Sequence, residues 1–184
     1  DLTEEAKNAN SVNTVYMSEE KVIGHNTDIF GFCKSLTVKN INLENKSAFI
    51  LGSGGVTPSI ILGLRKLGTK KIFVSNRSKD KVKKLKEKFK FIEIIDWGET
   101  IETDITVNST SLGLKEGDEI KLKYSIFGPK NHFYDLIYKP TRTSFLKKAE
   151  KQGCRVHNGM SMFIYQAAEA FKTWHNIDPN IDSN

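Results

Sequence analysis

The sequence predicts an α/β fold of the Rossmann-like, doubly wound kind: a mostly parallel six-stranded sheet with helices on both faces. Three observations predict it. Short apolar runs alternate with segments whose apolar residues recur at helical spacing. A glycine loop, GSGGVTPS (52–59), stands between the first such run and the first such helix. Glycines punctuate helix ends, at Gly68 and Gly153, as a chain that turns back into a strand requires. Strands that alternate with helices in this way pair in parallel and are covered on both faces.

The elements follow in order. SAFIL (47–51) is a buried strand and 56–67 a helix. KIFVS (71–75) is the second strand, followed by a helix over 79–89 in which Val82, Leu85 and Phe89 form the inner face. FIEII (91–95), DITVN (104–108) and HFYDLI (132–137) give three more strands. A helix over 143–153, a strand over 154–158 and a long closing helix over 161–175 complete the pattern. Residues 1–40 form a connecting segment, 41–158 the nucleotide-binding domain, and 159–184 the closing helix and tail.

The 184 residues are 38% hydrophobic and 27% charged, which is the composition of an ordinary globular domain. No stretch is apolar enough for a bilayer span, and the polar opening DLTEEAKNANS is not a signal peptide. Cys33 and Cys154 have no ligand-like spacing and read as reduced thiols, so a cytoplasmic location is expected. The net charge of +6 is concentrated in KDKVKKLKEKFK (79–90). Its lysines fill the outer face of a helix and no aromatic residues interleave with them, so no nucleic-acid partner is expected. The four histidines have no metal-ligand spacing.

The glycine loop carries the first functional expectation. Gly52 allows a tight turn, Gly54 lets backbone approach a pyrophosphate, and Thr57 takes the third, small position of the fingerprint. The helix that follows presents free N–H groups and a positive dipole end. At the end of the second strand, where a carboxylate would hold a ribose 2′-OH, stands Asn76-Arg77-Ser78. A guanidinium there, with Lys79 or Lys81 adding charge, suits a 2′-phosphate and favours NADP over NAD. Arg77 at a helix start faces the positive dipole end, a poor place for a cation unless an anion is bound beside it. Asp28, in HNTDIF (25–30), reads as a helix N-cap, as half of a catalytic pair, or as both at once.

Taken together, SVNT (11–14), GHNTDIFGF (24–32), LGSGGVTPS (51–59), SNRSKDK (75–81), NSTSLGL (108–114), YDLIYKPTRTSFL (134–146) and GMSMFIYQAAEAF (159–171) resemble the shikimate dehydrogenases, NADP-dependent oxidoreductases that interconvert 3-dehydroshikimate and shikimate. The resemblance implies substrate-binding roles for Asn13, Asp28, Tyr138 and Gln166, with Asp28 catalytic. It implies that Gly52, Ser53, Gly54, Gly55 and Val56 hold the pyrophosphate, and that Asn76, Arg77 and Ser78 hold the 2′-phosphate. Asn108, Ser109, Thr110, Ser111, Gly159 and Met162 are implied at the cofactor's ribose and nicotinamide. Asn10, Ile29 and Leu114 depart from the family pattern, and Asn10 still tolerates a left-handed backbone. The family also has a preceding substrate domain with a catalytic lysine, and no lysine here stands in that motif. The chain is therefore expected to bind NADP(H) without turning over, and to self-associate through the surface that domain would cover, around residues 1–40 and Tyr138. A quinate-specific branch is the alternative, against which Arg77 argues.

Overall fold

A computed structural model describes residues 1–181; the last three residues of the tail assigned to 159–184 lie outside them. The sheet has six strands in the order β5-β4-β3-β6-β7-β8: β3 (Ser47–Leu51), β4 (Lys71–Ser75), β5 (Ile92–Ile94), β6 (Ile105–Asn108), β7 (His132–Asp135) and β8 (Arg155–His157). Every pairing is parallel. The sheet starts at β3, winds outward through β4 and β5, and returns to wind the other way through β6, β7 and β8. The carboxyl ends of β3 and β6 therefore flank the point where strand order reverses, the usual place for a ligand crevice.

Alternation along β3 splits the core into two layers. Ala48 and Ile50 face a cluster built by α2 (Asp28–Thr37), α3 (Thr57–Lys66) and α4 (Lys79–Lys88), which includes Phe32, Leu36, Ile60, Leu64, Val82 and Leu85. Phe49 and Leu51 face the opposite cluster, where Phe145, Leu146 and Ala149 of α5 (Ser144–Lys151) meet Ile120 and Phe127. The second face is thus covered partly by the irregular segment between β6 and β7, which contains a 3-10 turn at Tyr124–Ile126. The closing helix α6 (Met160–His175) lies with α2 and adds Met162 to the first cluster. Tyr134 of β7 is fully buried; it packs edge-on against Phe32, and its hydroxyl lies 2.8 Å from Ser35 Oγ of α2.

Within residues 1–40, expected as a connecting segment, the structure forms α2, which the sequence offered only as a possible cap at Asp28, and further elements before it. A short helix, α1 (Glu4–Ala9), is capped by Thr3 and closed by Asn10 in the left-handed conformation, at φ 52°. A hairpin follows, β1 (Thr14–Ser18) pairing antiparallel with β2 (Lys21–His25). Its turn residues Glu19 and Glu20 both have positive φ. Its apolar residues Val15, Met17 and Val22 point to solvent, while Thr14 and Gly24 are buried. Trp174 of α6 donates to Val15 O at 2.9 Å and fastens the hairpin to the closing helix.

At the β7–β8 edge, His132 Nδ1 and His157 Nε2 lie 3.0 Å apart with the rings stacked. Burial, with Arg155 as a further cationic neighbour, holds His132 below the ordinary imidazole range. Burial, then His132, Lys39 and Arg155, push His157 down to about 4. Folded values below the unfolded value mean that the unfolded chain takes up protons first as pH falls. The stabilisation is therefore complete above about pH 6.5 and is lost as the pH drops toward the folded values. Asp135, pushed up to about 6 by burial, works in the opposite sense over an overlapping range. Urea midpoints followed from pH 7 to pH 4.5 should consequently fall more for the wild type than for His157→Gln. Parallel curves would mean that the histidine pair contributes nothing to acid sensitivity.

Candidate active site

The glycine loop runs from the end of β3 to the start of α3. Gly52 adopts φ +115°, and a Cβ there would stand 2.7 Å from Ser109 Oγ and 2.9 Å from Ser109 O, so both conformation and space demand glycine. Gly52 N donates to Ser75 O at 2.8 Å, and Ser109 Oγ donates to Leu51 O at 2.9 Å. The loop is thereby held between the ends of β4 and β6. Thr57, the small residue of the fingerprint, is buried, and its hydroxyl lies 3.0 Å from Ser109 Oγ.

In front of the loop lies a cleft of about 360 Å³. It is lined by Gly52, Ser53 and Gly54 from the loop and by Asn76, Arg77, Ser78 and Lys81 from the β4–α4 junction. Ser109, Thr110 and Ser111 line it from the turn after β6, and Trp97 and Leu112 complete it. Neither Trp97 nor Leu112 is anticipated from the sequence. The turn after the short strand β5 carries no motif, and only its place beside β4 could have pointed to Trp97.

The cleft fits a dinucleotide phosphate on its own chemistry. Ser53 Oγ is buried without a hydrogen-bond partner among the described residues. The backbone N–H groups of Gly54, Gly55 and Val56 likewise donate to no described acceptor, at the positive end of α3. A Cβ on Gly54 or Gly55 would meet nothing within 4 Å, so the space in front of them is open for a ligand. Arg77 forms no ion pair among the described residues, although its charge helps hold Asp118 below the usual carboxylate range, after the larger effect of the Gly113 and Lys115 N–H groups.

Two expected cofactor residues, Asn108 and Gly55, are not among the residues that line this cleft. Asn108 is fully buried. Its Nδ2 donates to Leu112 O and Asp135, and its Oδ1 accepts from Thr110 N and Oγ1, so it shapes the turn rather than lining the cleft. Gly55 is exposed and lines neither cleft described here. Asp135 accepts from Asn108 Nδ2, Thr143 Oγ1 and Ile137 N, a structural role consistent with its burial.

A second cleft, of about 280 Å³, opens on the other side of the glycine loop. It gathers Asn13, Asp28, Tyr138 and Gln166, expected at the substrate, with Val56, Gly159 and Met162, expected at the cofactor. Leu136 and Phe163 add apolar wall, and Tyr138 stacks on Phe163 at 4.9 Å. Val56 thus places the end of the glycine loop in the second cleft while its start lines the first.

The geometry separates the two readings of Asp28. Asp28 is the first residue of α2, and the cap is supplied by Asn26, whose Oδ1 accepts from Asp28 N at 3.1 Å and Ile29 N at 3.4 Å. The Asp28 carboxylate is left to accept from Asn13 Nδ2 at 3.0 Å. Burial raises its pKa above the ordinary value, and the Asn13 hydrogen bond opposes this. Asn13 is fixed in turn, because its Oδ1 accepts from Thr27 N and Thr14 Oγ1, each at 3.0 Å. Its Nδ2 also lies 3.5 Å from Gln166 Oε1 on α6. Glycines permit this convergence. A Cβ on Gly31 would stand 2.7 Å from Gln166 Cβ, and one on Gly159 would stand 2.0 Å from Leu136 O.

Fold and glycine loop together define a Rossmann-like α/β protein. Residues 35–113 match the model of the shikimate / quinate 5-dehydrogenase family, and 159–183 match that of the shikimate 5'-dehydrogenase C-terminal domain. The NADP(+)-dependent shikimate dehydrogenase of Pelagibacter ubique is 51% identical over 183 residues, covering 100% of this chain and 69% of that protein. The chain belongs to the shikimate dehydrogenase family. Among solved structures, the shikimate 5-dehydrogenase of Thermus thermophilus in complex with NADP(H) and shikimate superposes with a TM-score of 0.87 at 31% identity, over 97% of this chain and 67% of that one. The 5-ketofructose reductase of a Gluconobacter strain superposes with a TM-score of 0.89 at 29% identity, over 97% of this chain and 68% of that one. The chain therefore spans about two-thirds of the length of these relatives.

Proposed function

We propose that this chain is the NADP(H)-binding portion of a shikimate dehydrogenase, acting in the reversible reduction of 3-dehydroshikimate to shikimate. The observation that carries the reading is the shared glycine loop, which borders a cleft fitted to a dinucleotide on one side and the Asp28 cluster on the other. Bound there, the cofactor would supply or take up the hydride. Ser53, Gly54 and the N–H groups at the start of α3 would hold its pyrophosphate, and Arg77 with Ser78 and Lys81 its 2′-phosphate. Gly159 and Met162 would bound the nicotinamide.

Asp28, oriented by Asn13, would fix a substrate hydroxyl, with Gln166 and Tyr138 as further partners. The acid/base lysine implied by the family resemblance would come from a segment beyond the residues of this chain. Titration with NADPH and with NADH, in parallel, tests the cofactor half. NADPH should bind at least tenfold more tightly, about 1.4 kcal/mol. Equal affinities, or a preference for NADH, would favour the quinate-type alternative. Binding of NADPH without oxidation of shikimate would identify the chain as a cofactor-binding module that needs the additional segment.

A second part of the reading concerns the surface. Val15, Met17 and Val22 on the hairpin and Trp174 on α6 are each more than half exposed, a contiguous apolar patch of the kind proteins cover. We infer self-association of the isolated chain through this face. Sedimentation should give a dimer that Met17→Lys converts to monomer; a wild-type monomer at micromolar concentration would reject it. Among the described residues, no helix is long and apolar enough to cross a membrane.

A further inference from the structure

We propose that Trp97 is the wall against which the adenine ring lies, and that it sets affinity for the adenosine half of the cofactor. The inference rests on the cofactor reading above and adds a residue to it. Val74 of β4 pairs with Ile94 of β5, and the third residue after each is Arg77 and Trp97. The parallel register therefore delivers a guanidinium and an indole side by side to the same end of the sheet, and both line the 360 Å³ cleft.

The turn that carries Trp97 is built to present it. Glu99 N donates to Asp96 O at 3.1 Å, and Gly98 takes φ +98°, so Trp97 occupies the corner of a tight turn. Asp96 pairs with Lys79 at 3.0 Å, which joins this turn to the first residue of α4. Trp97 is half-buried, with its inner edge against the cluster that includes Phe49, Leu51 and Phe73. Its indole N–H has no hydrogen-bond partner among the described residues, and it makes no cation–π contact with Arg77. The cleft therefore offers two flat groups that do not satisfy each other. A planar heterocycle with ring nitrogens can stack on the indole while its attached ribose 2′-phosphate reaches Arg77.

The test uses the fact that the chain has two tryptophans, Trp97 and Trp174. In Trp174→Phe, Trp97 is the sole tryptophan, and red-edge excitation avoids the five tyrosines. Adenosine 2′,5′-bisphosphate, which has the adenine and 2′-phosphate but no nicotinamide, should quench it saturably. Trp97→Ala should weaken binding of this probe and of NADPH by the same factor, about tenfold or 1.4 kcal/mol. Trp97→Phe should retain affinity within threefold, because it preserves a stacking face. Unchanged Trp97 emission at saturating probe, with Kd for Trp97→Ala within twofold of wild type, would overturn the proposal while leaving the cofactor site intact. Failure of the wild type to bind NADPH at all would instead remove the cofactor reading and this inference with it. Should Trp97→Ala not fold, the emission of Trp97 in Trp174→Phe decides alone.

Discussion

Gly159→Ala is expected to destabilise the chain by about 3 kcal/mol or more, the upper range for forced overpacking. The backbone at Gly159 is ordinary, with φ −73° and ψ −3°, so the cost is steric rather than conformational. A Cβ would stand 2.0 Å from Leu136 O and 2.6 Å from Leu136 C, and backbone cannot rotate away as a side chain can. Leu136 N is itself bonded to Asn108 O, and Gly159 N to Ile137 O, which fixes both partners. Relief requires α6 to move off the sheet, carrying Met162 and Gln166 from the second cleft. Against a total stability of roughly 5–15 kcal/mol, this is a large fraction. Urea denaturation followed by circular dichroism measures it. A midpoint unchanged from wild type would show that the helix start yields freely. Gly54→Ala is the control, since its Cβ meets nothing within 4 Å; it should leave stability nearly unchanged.

Arg77→Ala should weaken NADPH binding ten- to hundredfold, about 1.4–2.7 kcal/mol, and leave NADH within threefold. The asymmetry follows from the placement of the side chain. Arg77 lines the first cleft, beside the start of α4, with no carboxylate paired to it among the described residues. Only a ligand that bears the additional phosphate gains from it. Arg77→Lys keeps the charge and loses the fork of donors, so it should fall between wild type and alanine. Calorimetry with both nucleotides reads the outcome. Equal losses for NADPH and NADH would assign Arg77 to the architecture of the β4–α4 turn, and no loss for either would remove it from the site.

The centre of the sheet was legible because its inner strands are buried on both faces and read as continuous apolar runs, as in SAFIL and KIFVS. The hairpin over Thr14–Ser18 and Lys21–His25 was not, for two physical reasons. Its turn is Glu19-Glu20, both at positive φ, in place of the Asn-Gly type that marks such turns. Its apolar residues also face outward, so alternation reports no core. In the site, the glycine loop and Arg77 announce themselves through motif and position. Asp28 was ambiguous, because an Asp at a helix start caps or reacts with equal ease on sequence grounds; in the structure the capping bonds go to Asn26, which leaves the Asp28 carboxylate outside that role. Asn108, expected at the cofactor, is buried and braces the turn after β6, a role that a polar residue at a strand end does not announce in sequence. Trp97 was silent because its placement depends on strand register, which no local pattern encodes.

The contact between Asn13 and Gln166 joins residues 153 positions apart, nearly the two ends of the chain. The second cleft is thus assembled from both ends of the chain, whereas the lining of the first lies between Gly52 and Leu112. Truncation at either end should therefore be read first in the Asp28 cleft, whose walls come from α2 and α6, and only secondarily in the nucleotide crevice.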